Sequence, residues 1–141
     1  MPRMSPGGDR VAYTVRDASL SISMSSAADV YVSSIRDHTR IRISNGGGSL
    51  PVWGPDGKEL FYLTAAGELM RAELADMSLA GPPKMLFKPC ESVGRTAITQ
   101  LTMWTYDISA DGTRFLAICR PPESSAPSAI NVILNWQSKL K

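Results

Sequence analysis

The sequence predicts an all-β fold built from about three repeated antiparallel units, and three observations carry that expectation. Eleven glycines and ten prolines punctuate 141 residues, too dense a scatter of breakers for long helices. Three segments, residues 5–13, 54–62 and 109–117, superimpose on one another. Each starts from a small residue, usually followed by proline, and passes through a glycine turn and two polar residues into an apolar run. The turn glycines Gly8, Gly57 and Gly112 are 49 and 55 residues apart, close to the period of about 40–50 residues at which propeller blades repeat. The expected architecture is therefore a partial β-propeller of about three antiparallel four-stranded blades, with the first and last incomplete. It is read as one domain over residues 1–141, with blade units at about 5–44, 50–87 and 101–136.

Each element follows from local chemistry. In the first unit, the Gly7-Gly8 turn leads into Val11-Ala12-Tyr13, and a second strand follows over residues 29–35. A third covers residues 39–44, where Arg40 and Arg42 point one way and Ile41 and Ile43 the other. Outward charges on an outermost strand defend it against edge-to-edge pairing. Residues 18–25 alternate apolar and polar, which reads as an extended hairpin.

The second unit opens on an inner strand at residues 50–53, turns at Asp56-Gly57, and continues through strands at 60–63, 67–74 and 83–87. Met70, Leu74 and Met77 stand at helical spacing within residues 65–79. The repeat register nevertheless requires strand there, and strand is the expectation. In the third unit an inner strand at 103–108 precedes the Asp111-Gly112 turn, then strands at 115–118 and 129–136. The units thus show three, four and three strands, the first without an inner strand and the last without an outer one.

The turns have a mechanism. Glycine tolerates the positive φ that tight turns demand, and an Asp side chain can bond the amide two residues on. Gly8, Asp56, Gly57, Asp111 and Gly112 are assigned this turn-forming role. The runs Leu60-Phe61-Tyr62-Leu63 and Phe115-Leu116-Ala117-Ile118 are continuous rather than alternating, as in strands covered on both faces.

The segment Trp53-Gly54-Pro55-Asp56-Gly57-Lys58-Glu59-Leu60-Phe61-Tyr62, followed by Gly67-Glu68-Leu69-Met70, resembles the TolB-like, WD-repeat-like β-propeller repeat. The motif of that family reads Ser-Pro-Asp-Gly-Lys before an apolar strand. Residues 130–137 resemble the last strand of bacterial chains carrying such propellers. The likeness spans nearly the whole chain and is strongest in the middle unit. Gly7-Gly8 replaces Asp-Gly in the first unit, and Ala110 replaces proline in the third. The resemblance implies the C-terminal blades of a propeller, and it admits a periplasmic or a cytoplasmic location.

A net charge of +2 is too small for a dedicated nucleic-acid surface. No apolar run approaches the roughly 20 residues of a membrane span, and the opening residues lack a signal-peptide stretch. Cys90 and Cys119, 29 residues apart, form either one disulfide or two thiols, and not a metal-ligand spacing. No metal or cofactor is expected.

No catalytic residue is assigned. His38, the one imidazole, falls in a turn, and no Gly-x-Ser-x-Gly elbow accompanies it. Candidate binding residues are Trp53 and Trp104 on inner strands, and Asn45, Ser49, Arg95 and Arg120 on the loops opposite the Asp-Gly turns. Gly46-Gly47-Gly48 reads as a flexible linker, since no helix follows to make a phosphate cradle. The expected function is a non-enzymatic module that binds a protein or peptide through inter-blade loops or strand edges. Self-association is expected to complete its sheet. The alternatives are a propeller hydrolase of esterase or lactonase type, or a fragment with no activity of its own.

Overall fold

A computed structural model describes residues 2–16, 28–89, 106–119 and, for the backbone, 130–133. The hairpin expected over residues 18–25 lies outside them. Every regular element among the described residues is a strand, and the strands form three antiparallel sheets in chain order.

The first sheet holds β1 (Arg3–Met4), β2 (Arg10–Arg16), β3 (Ala28–Ser34) and β4 (Arg40–Arg42) in that order. The sequence reading missed β1. It has only two residues, too few for a pattern, and it pairs Arg3 with Ala12 and Met4 with Val11. The first unit therefore has four strands rather than three. The outward charges on β4 are as expected: Arg40 and Arg42 are exposed, while Ile41 packs against the core.

The second sheet comprises β5 (Ser49–Trp53), β6 (Glu59–Leu63) and β7 (Leu69–Ala75), with both β8 (Ser78–Leu79) and β9 (Lys84–Phe87) pairing to β7. Residues 69–75 are thus strand despite their helical spacing. Pairing with β6 from Glu59↔Glu73 to Leu63↔Leu69 overrides the local propensity. The third sheet contains β10 (Tyr106–Ile108), β11 (Phe115–Ile118) and β12 (Ile130–Ile133).

Two apolar layers lie between the sheets. Ala12, Val30, Val32 and Ile43 of the first unit meet Trp53, Leu60, Tyr62 and Ala72 of the second. Val52, Phe61, Leu63 and Leu69 meet Tyr106, Phe115 and Ala117 of the third. Phe61 and Phe115 pack edge to face with ring centroids 5.1 Å apart. The alternate side chains of β6 serve different layers, which is why its apolar run is unbroken. The run of β11 departs from that expectation. Phe115 and Ala117 are buried, but Leu116 and Ile118 are 46% and 51% exposed, because no sheet among the described residues covers their face.

Cys119 is held in a disulfide. The other cysteine, Cys90, lies outside the described residues.

Candidate functional site

The inner strands β1, β5 and β10 lie together, and between their turn-side ends runs a cleft of about 220 Å³. Its lining includes Arg3, Met4, Pro6, Trp53, Pro55, Asp107 and Ile108. Repetition builds it. Each turn closes through a backbone bond from its glycine: Gly8 N–H to Ser5 O at 2.9 Å, Gly57 to Gly54 at 3.1 Å, and Gly112 to Ser109 at 2.8 Å. The three glycines hold φ of 72°, 70° and 71°. Asp56 accepts from the Lys58 amide at 2.9 Å, and Asp111 from the Thr113 amide at 3.0 Å. These are the amides two residues on that the turn chemistry predicts.

Trp53 is buried in the first layer rather than presented as a platform. Its indole Nε1–H donates to Arg3 O at 2.9 Å, and the Arg10 guanidinium lies 5.0 Å from the ring centroid. Arg10 in turn donates to Gly57 O at 3.0 Å and Asp76 O at 3.2 Å. In the second layer, outside the cleft lining, the Tyr106 hydroxyl donates to Leu50 O at 2.7 Å. That bond anchors Leu50, which stands at a φ of 55° where the register of β5 shifts. Burial, with the neighbouring Asp107 carboxylate, pushes the Tyr106 hydroxyl well above its ordinary range, so it remains a donor.

The other predicted residues fall elsewhere. Asn45 is exposed and Ser49 half-buried, at the end of the second unit away from its Asp-Gly turn. Arg95, Trp104 and Arg120 lie outside the described residues. The structure thus brings Trp53 to the cleft, with Asn45 and Ser49 at the opposite end of β5. The Gly46-Gly47-Gly48 stretch is not a loose linker. Gly46 and Gly47 take φ of 85° and 100°, and Gly48 donates to Ala28 O at 2.6 Å. A Cβ on Gly48 would stand 2.7 Å from the Tyr62 ring, so close packing requires glycine there.

His38 is exposed, at a φ of 60° in the turn between β3 and β4. Among the described residues no three His, Cys, Asp or Glu side chains gather as metal ligands. Nor is any helix among them long and apolar enough to cross a membrane. The cleft offers apolar walls with one cation, Arg3, and one anion, Asp107. That chemistry suits binding of a chain with mixed side chains.

Sequence reasoning missed Arg3, Met4, Pro6, Asp107 and Ile108 as lining. A signal existed: carrying the repeat register back from Ser5 sets Arg3-Met4 against Val52-Trp53 and Asp107-Ile108.

No family model matches the chain, and no curated protein matches it by sequence. Solved structures do. TolB from Acinetobacter baumannii superimposes with a TM-score of 0.59 at 19% identity, over 95% of this chain and 32% of TolB. The chain folds as a segment of a TolB-like β-propeller. An acylaminoacyl peptidase from Pyrococcus horikoshii matches at a TM-score of 0.57 and 20% identity, over 89% of this chain and 18% of the peptidase. A second acylaminoacyl peptidase, in complex with Z-Gly-Gly-Phe-chloromethyl ketone, gives 0.61 and 17%, over 99% and 23% respectively. The chain therefore spans about a third or less of these proteins, and at such identities the likeness is one of fold.

Proposed function

We propose that the chain is a non-enzymatic binding module of β-propeller type that engages a protein or peptide and also self-associates to complete its sheet. The observation that carries this reading is the cleft between the three inner strands, with Arg3 and Asp107 among apolar and proline walls. An extended peptide offers the amides, apolar side chains and mixed charges that such walls can hold. The loop end bearing Asn45 and Ser49, to which the sequence reading also assigned Arg95 and Arg120, is the second surface to test.

The test is a peptide-display selection on the full chain, followed by calorimetry on the selected peptides. Arg3→Glu and Asp107→Arg are expected to weaken binding on the order of 10-fold or more, as loss of a central charged contact does. Asn45→Ala and Arg120→Ala should leave it unchanged if the cleft is the site. Loss of binding in the loop variants alone would move the site to the other end. Hydrolysis of ester or lactone substrates that disappears in His38→Ala would replace this reading with the hydrolase.

A further inference from the structure

The two outward flanks of the stack match each other by repeat position. At the boundary of the first and second units, Ala12 shares a core with Leu60 and Tyr62; at the next, Phe61 and Leu63 share one with Phe115 and Ala117. The turns follow the same rule. A Cβ at Gly57 would lie 3.5 Å from Pro6 of the preceding turn, and one at Gly112 would lie 3.2 Å from Pro55. Arg10, two residues past its turn glycine, reaches forward to the carbonyl of Gly57 in the next turn.

At the two ends the same positions are exposed or only half-buried. Leu116 and Ile118 occupy the forward face of the third unit, and Met4, Val11, Tyr13 and Val15 the rear face of the first. Six large apolar residues are exposed among those described, and four of them (Met4, Val15, Leu116, Ile118) lie on these two faces. Tyr13, at the repeat position of the buried Tyr62, is only half-buried. A Cβ at Gly8 would meet nothing within 4 Å. Arg114 stands at the position of Arg10 but is exposed, 3.9 Å from Asp111 of its own turn.

We propose that two copies of the chain join head to tail, the Leu116/Ile118 face of each covering the Val11/Tyr13 face of the other. The proposal rests on the self-association reading above and adds its geometry. Propellers typically close with about four to eight blades, a range that two copies of the three described units fall within. Such a heterologous contact closes when the rotation completes a circle. Leu116 then takes the place that Phe61 holds inside the chain, Tyr13 that of Tyr62, and Arg114 donates to the Gly8 carbonyl of the second copy. The internal boundaries supply the template: the chain already makes this contact twice.

Light scattering after size exclusion tests it, with circular dichroism to confirm that each variant folds. The wild type is expected at twice the 15.3 kDa chain mass. Leu116→Arg/Ile118→Arg and, separately, Tyr13→Glu should each raise the dimer dissociation constant on the order of 100-fold, by placing charge in an apolar contact. Arg114→Glu should weaken it less. An equimolar mixture of the two monomeric variants should recover the dimer, since one boundary is wild type and the other pairs Arg with Glu. A folded wild-type monomer at high concentration would overturn both the geometry and the self-association, and would leave the faces to blades of another polypeptide. A dimer that survives Tyr13→Glu but not the Leu116 change would keep self-association and overturn the head-to-tail ring, because that pattern belongs to a like-on-like contact. A mass other than two chains would overturn it equally.

Discussion

At the scale of single residues, the turns are where the chemistry is most explicit. The Asp111 carboxylate accepts from the Ser109 hydroxyl, from the Thr113 amide and from the Thr113 hydroxyl at 2.8 Å. These bonds, the Ser109 hydroxyl first, hold its pKa far below the usual carboxylate range, and Arg114 adds to the effect. A carboxylate whose pKa is lowered on folding stabilises the fold above its unfolded pKa of about 4. That contribution declines as acid approaches the folded value. Asp111→Asn keeps an acceptor and removes the charge. Its melting temperature is expected to lie below wild type near neutral pH, and the gap should close as pH falls below about 4 in a thermal-melt series. Asp9, held low chiefly by the Ser5 hydroxyl, acts in the same direction in the first turn. Much of this was legible from Asp-Gly alone, because a turn is a local object.

At the scale of elements, the repeat register predicted strands better than local propensity did. Residues 69–75 read as helix in isolation, and only their place after the Asp56-Gly57 hairpin argued otherwise. Cross-strand pairing supplies what propensity lacks. The two-residue β1 was illegible for the opposite reason, since two residues make no period. The glycine run was misread because its requirement is tertiary: Gly48 is constrained by the Tyr62 ring, which is 14 residues away in sequence. Gly48→Ala is therefore expected to destabilise the protein by about 1–3 kcal/mol, the usual range for overpacking. Urea denaturation measures it, and a value within 0.5 kcal/mol of wild type would mean that the loop gives way more easily than its contacts indicate.

At the scale of the whole molecule, the order of the three sheets follows from which side chains each strand turns forward and back. Val52, Phe61 and Leu63 point to the third unit, while Trp53, Leu60 and Tyr62 point to the first. Among the described residues the middle unit alone is covered on both faces, and the cleft arises because the inner strands of all three converge. The sequence carried the repeat, and with it the propeller reading. It could not carry the lining of the cleft, because Arg3 and Asp107 are 104 residues apart and meet only through the stacking. Nor could it show that Leu116 and Ile118 stay uncovered, since an apolar run reads the same whether or not a neighbour follows it.

Amide hydrogen exchange is the most direct measurement of the central claim that the units stack face to face around the middle one. The amides of β6, residues 59–63, are expected to exchange the slowest in the chain, because that strand lies between two partners in its sheet and two apolar layers. Those of β4, at a sheet edge and bearing two exposed arginines, should exchange several orders of magnitude sooner. Similar exchange rates in β6 and β4 would contradict the stacked-blade account.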